Sequence, residues 1–342
     1  MSSDPVLLPA DAAPKPQPSR LHAVFIGNEG LRAGWSILIF AIIFAVLQGL
    51  SILAIKKLHL ISQPTNATLE FSLSFGFINE ALSAISVLLA TWILSKIERR
   101  SRSYGYGGPT RVKFFLAGLA SGVFLISLLV FTLWKSGVLV IERRLIFGAD
   151  SARYGALWLL VFCLVGLFEE SLTRGFLLYT LTRGLAGLYR SLFKTKHSTA
   201  LGFWTAAVIL SVMFFLGHTS NPGESPVGLL SVFVAGIFFC YSVWRTGSIW
   251  WAIGMHAAWD WGQSFLFGVA DSGLMVQHHL LATHPQGRPI LSGGTTGPEG
   301  SILILGIVAL GGLIVFLTLP QGRYYDPPPS ASESPQPATA VA

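Results

Sequence analysis

Two adjacent glutamates lie inside a stretch that is otherwise apolar enough for a membrane helix. Glu169 and Glu170 occur within residues 162–179, and Arg174 follows one helical turn later. A charge at the centre of a bilayer costs about 2.5–3.5 kcal/mol on insertion scales, so charges kept there usually mark function. Residues four apart share a helix face, which pairs Glu170 with Arg174. Glu169 lacks that cation and is the predicted general base, and Glu170 is the predicted anchor.

Two further motifs place histidines in apolar segments. Phe214 and His218 are four residues apart, as are His256 and Asp260, so each pair lies on one helix face. A histidine and a carboxylate on one face can bind a metal, orient a water molecule or stabilise an oxyanion. For all of these clusters, the alternative is a hydrogen-bond network that only orients helices. Together they contain the residue types that water activation needs.

The composition is that of a multi-pass membrane protein. Of the 342 residues, 52% are hydrophobic and only 11% are charged, whereas soluble domains carry about 25% charged residues. Lys and Arg outnumber Asp and Glu by 23 to 16, but basic residues in membrane proteins more often fix topology. We therefore expect membrane lipids around the chain and no nucleic-acid partner. Cys163 and Cys240 lie in apolar runs, which predicts packing roles rather than a disulfide.

The predicted fold class is all-α, a polytopic membrane helix bundle of about eight transmembrane helices, because a span needs about 20 apolar residues. The candidate spans are residues 33–55, 69–95, 113–134, 156–182, 201–218, 227–244, 248–269 and 301–319. Counted along these spans, His218 falls near one membrane face and His256 nearer the other. Chemistry requires them together, so we expect a boundary error, a broken helix or a strong tilt, and a boundary error first.

The chain divides into one membrane domain and two tails. Residues 1–30 and 321–342 are rich in proline and are predicted to be disordered. Residues 31–320 are predicted to form the transmembrane helix-bundle domain, with the chemical motifs in residues 158–267. Residues 270–300, rich in glycine and containing prolines, are predicted to be an exposed loop.

Basic residues indicate an orientation. They cluster between residues 96 and 113 and between residues 183 and 196, on the same side of an eight-helix arrangement. The positive-inside tendency places that side, with both termini, in the cytoplasm. The predicted location is therefore the cell (cytoplasmic) membrane. Glu80, within the second predicted span, is expected either to line a chamber or to pack between helices.

The motifs occur in an order known from one protease family. The chain reads Glu169-Glu170-Ser171-Leu172-Thr173-Arg174, then Phe214 to His218, then His256 to Asp260. This pattern resembles the E-E-x-x-x-R, F-x-x-x-H and H-x-x-x-N/D motifs of the CAAX protease and bacteriocin-processing (CPBP, Abi-type) family of intramembrane proteases. The resemblance covers about residues 158–267.

The resemblance implies peptide-bond hydrolysis in a chamber within the membrane. Glu169 would activate the water, assisted by His218. His256 and Asp260 would bind the developing oxyanion or complete a metal site. Structural or orienting roles fall to the other motif residues, Glu170, Arg174 and Phe214.

The resemblance leaves two mechanisms open. The family is often described as metalloproteases, and the candidate ligands of a zinc ion are Glu169, His218 and His256. A metal-free, glutamate-based mechanism has also been argued for members of the family, and the same residues would serve it. Asp260 stands where many members have asparagine. An aspartate is a poor oxyanion donor unless protonated, which tilts the prediction toward a metal-binding or water-orienting role.

The predicted function is that of an intramembrane endopeptidase acting on a membrane-anchored protein or peptide. The alternative is a non-catalytic immunity or scaffold protein that keeps the fold and binds a peptide partner. Intact Glu169, His218 and His256 favour the enzyme, since a scaffold has no need of so costly a set. A transporter is a third class, but the sequence has no inverted repeat visible by eye to support it.

Overall fold

The computed structural model describes residues 24–27, 30–60, 70–98 and 104–321. Nine helices of at least 11 residues lie in these ranges. They are α1 (Ala33–Lys57), α2 (Leu73–Ile97), α3 (Arg111–Lys135), α4 (Gly148–Glu170), α5 (Leu178–Phe193), α6 (Ser198–His218), α7 (Pro226–Thr246), α8 (Trp250–Asp260) and α9 (Ile304–Thr318). Most of the predicted N-terminal tail, and all but residue 321 of the C-terminal one, lie outside the described residues.

The predicted class, a polytopic α-helical membrane protein, is confirmed. Within the described ranges, six helical stretches are long and apolar enough to cross a membrane, one of them running from Gly148 through Phe193. Two further segments are shorter than predicted, since α9 has 15 residues and α8 has 11 before it continues as a π-helix, Trp261–Leu266. Large apolar side chains stay exposed along α1, as expected of a helix facing lipid: Leu38, Ile42, Val46, Leu50 and Leu53.

The fourth predicted span, residues 156–182, is one part of a longer helical stretch that is interrupted. Between α4 and α5 the chain forms a π-helix, Ser171–Leu177, and Gly175 has a non-helical ψ of −110°. Single π-helical turns in longer helices often occur at functional sites, because they shift the register of the side chains that follow. This interruption comes directly after Glu170, and Arg174 lies within it.

Glycines allow α8 to lie against the backbone of its neighbours. A Cβ atom on Gly254 of α8 would lie 2.2 Å from the carbonyl oxygen of Phe115 in α3. A Cβ on Gly118 of α3 would lie equally close, 2.2 Å, to the carbonyl oxygen of Trp251. Small residues at helix contacts permit such close approach in membranes. α8 is therefore held deep in the bundle, packed against both α3 and α4.

Residues 267–303 cover one end of the bundle and pair with distant strands. Strands β1 (Ile26–Gly27) and β2 (Gly30–Leu31) pair with each other, ahead of α1. In the covering segment, β5 (Met275–Val276) pairs in parallel with β3 (Glu70–Phe71), and β6 (Leu281–Pro285) pairs antiparallel with β4 (Leu139–Arg144). The prediction of an exposed loop for residues 270–300 is therefore wrong in part. Much of the segment is fixed by hydrogen bonds, and some of its side chains point inward.

Candidate active site

The motif residues line a single cavity of about 430 Å³ inside the bundle. Its walls come from α2, α4, α6, α7, α8, α9 and the covering segment 267–303. All four predicted catalytic residues contribute to the lining: Glu169, His218, His256 and Asp260. Apolar and aromatic side chains form most of the remaining surface, as is usual for a pocket that binds an organic ligand.

Glu170 joins two helices through one oxygen atom. Its Oε1 accepts a hydrogen bond from Arg174 Nη1 at 3.0 Å and another from His256 Nδ1 at 2.9 Å. The ion pair with Arg174 is the one that the four-residue spacing predicted. The contact with His256 ties α4 to α8 and was not predicted, because the two residues are 86 positions apart. Glu170 is fully buried, which suits an anchor rather than a group that meets substrate.

Arg174 is enclosed by polar and aromatic partners. Its Nη1 also donates to Thr173 Oγ1 at 2.8 Å. The guanidinium carbon lies 4.7 Å from the ring centre of Phe214 and 5.3 Å from that of Phe239. Cation–π contacts of this kind stabilise a desolvated arginine. Phe214, predicted to have an orienting role, therefore packs on the same cation that pairs with Glu170.

His256 is held between three carboxyl groups. A carboxylate can only accept a hydrogen bond, so the Nδ1 atom facing Glu170 carries a proton and donates. The other nitrogen, Nε2, lies 3.7 Å from Glu169 Oε2 and 3.5 Å from Asp260 Oδ2. These distances are longer than a normal hydrogen bond. The ring is also stacked on Phe239 at a centroid distance of 5.2 Å, which fixes its plane.

His218 lines the same cavity and packs against Phe214. Its Nδ1 lies 2.8 Å from the backbone carbonyl oxygen of Phe214, which can only accept, so Nδ1 carries the proton. In the neutral ring, Nε2 is then the nitrogen with a free lone pair. The Phe214 ring lies 4.6 Å from the His218 ring and 6.2 Å from the His256 ring. Within the described part of the chain, no direct hydrogen bond joins the two histidines.

The expected mismatch in depth between His218 and His256 is resolved without a large boundary error. α6 and α8 begin within about three residues of the predicted spans, and α6 ends at His218 as predicted. The turn before α8 lies inside the protein, since Ser248 and Ile249 are buried. Ile249 donates its backbone N–H to Gly105. The packing of the two helices therefore brings Phe214 and His256 together, with ring centres 6.2 Å apart, although they lie at different distances from their helix starts.

Three carboxyl groups outside the predicted catalytic set also line the cavity. Glu80 extends from α2, and Asp271 and Glu299 come from the covering segment. Burial raises the pKa of Glu299 to about 8, with the neighbouring Asp271 adding to the effect. Burial also holds the pKa of Asp271 well above its usual range. For Glu80, lining a chamber was one of the two roles predicted from the sequence. Asp271 and Glu299 were not predicted as cavity residues, because nothing local in a glycine-rich segment marks them.

The predicted zinc ligands do not form a metal-binding group in this arrangement. Zinc takes nitrogen and oxygen ligands at about 2.0–2.2 Å, usually three from the protein at a catalytic site. Among the residues that the structure describes, no group of three or more His, Cys, Asp or Glu side chains is placed to hold a metal ion. Phe214 packs against both histidine rings, 4.6 Å from that of His218 and 6.2 Å from that of His256. Zinc binding by Glu169, His218 and His256 stays a prediction, and no chemical step is derived through it.

The fold and the cavity define a polytopic membrane protein with a carboxylate–histidine site inside its helix bundle. Residues 151–262 match a protein-family model, Rce1-like, described as type II CAAX prenyl endopeptidase Rce1-like. The match contains all three motifs and confirms, over this region, the resemblance to CAAX-type endopeptidases that the motifs predicted. No curated protein and no solved structure matched the chain.

Proposed function

We propose that the protein is an intramembrane endopeptidase that hydrolyses a peptide bond of a membrane-anchored protein or peptide in the cytoplasmic membrane. The observation that carries the proposal is the convergence of Glu169, His256 and Asp260 on one cavity within the bundle. That cavity is built largely from the region that matches the CAAX endopeptidase family. An immunity or scaffold protein would need the fold but not this set of groups.

Glu169 is the proposed general base. Its side chain is 25% exposed, whereas that of Glu170 is 0% exposed and already holds two donors. A water molecule beside Glu169 Oε2 could donate one proton to that carboxylate. The lone pair on His218 Nε2 is the second acceptor proposed to orient the water. A base must lie within hydrogen-bond reach of the proton it removes, and the open side of Glu169 meets that requirement.

His256 is the proposed partner of the substrate carbonyl. As Glu169 takes a proton, the water oxygen forms a bond to the carbonyl carbon, and the carbonyl oxygen becomes an oxyanion. A protonated His256 Nε2 would donate to that oxyanion, and Glu170 would hold the opposite side of the ring. The C–N bond then breaks as Glu169 returns its proton to the leaving nitrogen. Asp260 keeps the imidazole in place from the α8 side.

Substitution of Glu169 by glutamine tests the proposal. Glu169→Gln keeps the shape of the side chain but removes the base, so cleavage of a membrane-peptide library should fall about 100-fold or more. Thermal unfolding of the purified protein in detergent should stay close to that of the wild type. Glu142→Gln, the same change at an exposed strand residue, is the matched control.

The scaffold alternative gives a different result in the same experiment. If the biological effect of the protein in cells survives Glu169→Gln while the variant is folded and present at wild-type level, the hydrolase proposal is wrong. A protein that only sequesters a peptide has no use for a proton acceptor at this position.

A further inference from the structure

Glu80 is a carboxyl group in a membrane-spanning helix that the mechanism above does not use. It lines the same cavity as Glu169. Asn79 Nδ2 donates a hydrogen bond to Glu80 Oε1 at 2.8 Å, which orients the carboxyl group. Within the described ranges, no Lys, Arg or His forms an ion pair with Glu80. A carboxylate at this depth is costly without a cation, so its retention calls for a partner.

The wall around Glu80 is apolar and aromatic. Phe75 of α2 and Trp158 and Phe162 of α4 line the same cavity, and Trp158 packs beside Gly76, which lies one helical turn before Glu80. Such a wall accepts the aliphatic stem of a lysine or arginine while its charged end reaches a polar group. Aromatic faces also attract cations directly. The surroundings of Glu80 therefore suit a long basic side chain better than a short polar one.

The charge of the whole cavity agrees with this preference. No lysine or arginine is found among the described residues that line it. Five carboxyl groups do line it: Glu80, Glu169, Asp260, Asp271 and Glu299. The raised pKa values of Asp271 and Glu299 reduce their share of the negative charge. The carboxylates that are ionised still favour a cation, because a cleft lined by one sign of charge between low-dielectric walls concentrates ligands of the opposite sign. Among the described residues that line the cavity, His218 and His256 are the groups that can carry a positive charge.

We propose that Glu80 is a specificity-determining residue that selects substrates with a lysine or arginine close to the scissile bond. The inference rests on the proposed endopeptidase function. The substrate cation would supply the ion-pair partner that Glu80 lacks within the described chain. The site is thus assigned a substrate class, a membrane-anchored peptide with a basic residue beside the bond that is cut.

The test compares matched peptides. A membrane-peptide library is prepared in pairs that differ only by Lys or Gln at one position within three residues of the scissile bond. For the wild type, kcat/KM should favour the Lys member about tenfold or more, chiefly through KM, because a desolvated ion pair is lost with Gln. Glu80→Gln should bring the ratio of the two members close to one. Glu80→Asp should restore part of the preference, and Glu142→Gln should retain all of it.

Binding is measured alongside cleavage, so that the two proposals can fail separately. The same peptide pairs are titrated by fluorescence anisotropy into Glu169→Gln and into the double variant that also carries Glu80→Gln. Tighter binding of the Lys member that depends on Glu80 supports the inference even if no peptide is cut, in which case the endopeptidase proposal fails. Equal binding of both members to Glu169→Gln overturns the inference. Equal loss of cleavage for both members in folded Glu80→Gln also overturns it, because Glu80 would then act in catalysis or packing.

Discussion

At the scale of single residues, the site depends on the two partners of Glu170 Oε1. Arg174 neutralises the carboxylate within its own helical stretch, and His256 brings a donor from α8. Removing one member of a buried charge pair costs about 3–5 kcal/mol, since the other is left uncompensated. The same contact orients the imidazole whose far side faces Glu169. Glu170 therefore acts on the chemistry through the position of His256.

The spacing of residues along the chain revealed only part of this arrangement. Residues four apart on a helix must be neighbours, so the pairing of Glu170 with Arg174 could be predicted. The contact between Glu170 and His256 depends on how α4 and α8 pack, which local spacing does not encode. The same limit applies to Glu80, whose place in the cavity was one of two predicted outcomes and depends on the packing of α2.

Removal of His256 separates the metal-free mechanism from the zinc alternative. Metal content is measured by mass spectrometry on purified wild type and His256→Ala, with cleavage read on the same samples. We expect less than stoichiometric zinc in both, no effect of chelator on the wild type, and a fall in cleavage of about 100-fold or more in the variant. The last expectation follows because His256 Nε2 is the proposed oxyanion donor.

A zinc site would give the opposite pattern. About one zinc per wild-type chain, lost in His256→Ala together with cleavage, would establish a metal centre that involves this histidine. The glutamate mechanism proposed above would then be wrong. Loss of cleavage alone, in a variant that is still folded at the temperature of the assay, would support it.

At the scale of elements, the position of α8 decides where the chemistry lies. The helix begins in a buried turn and runs against α3 with glycines at the contact. This packing brings His256 to the level of Phe214 in α6, although the two lie at very different distances from their helix starts. Helix ends were predictable from apolar runs and turn residues such as Gly247, whose φ of +67° ends α7. The position of one helix relative to another along the bundle could not be predicted, because it depends on how the helices pack.

An added methyl group at Gly254 should disturb this packing. The Cβ of Gly254→Ala would lie 2.2 Å from the Phe115 carbonyl oxygen, so one backbone must move. Overpacking typically costs about 1–3 kcal/mol. We expect a lower melting temperature in detergent and reduced cleavage, since α8 carries His256 and Asp260.

Gly312 provides the matched control for this change. It lies in α9, and a Cβ built there meets nothing within 4 Å. Gly312→Ala should be neutral or slightly stabilising, because alanine is favoured over glycine in a helix by about 1 kcal/mol. Similar melting temperatures for the two variants would contradict the view that close backbone contact holds α8 in place.

At the scale of the whole molecule, the covering segment 267–303 completes the cavity. It adds Asp271, Ser272 and Glu299 to a chamber whose other walls are helices. The segment is fixed by strand pairing with β3 and β4, elements that precede it by more than a hundred residues. Pairings between segments so far apart in the chain, one of them only two residues long, have no local signature in the sequence, which is why the segment was predicted as an exposed loop. The bundle class, in contrast, follows from apolar length alone.

The covering segment is also where stability should respond to pH. Glu299 Oε1 accepts hydrogen bonds from the backbone N–H and the hydroxyl of Ser272, and Asp271 and Glu224 are the charged groups that act on it. Because burial raises the pKa of Glu299 from 4.5 to about 8, the folded protein binds this proton more tightly than the unfolded chain does. The resulting stability is fully present below the unfolded pKa and is lost as pH rises through the folded one.

Glu299→Gln should therefore flatten the dependence of stability on pH. A glutamine stays neutral, and its Oε1 can still accept from Ser272. The melting temperature of the wild type should fall between about pH 5 and pH 9, and the variant should fall less. Part of the fall should remain, because the raised pKa of Asp271 acts in the same direction. Glu70→Gln, at an exposed residue of β3, should follow the wild type. If the Glu299 variant loses stability as steeply as the wild type, then Glu299 does not couple the covering segment to pH, and the proton sensitivity comes from Asp271 or other groups.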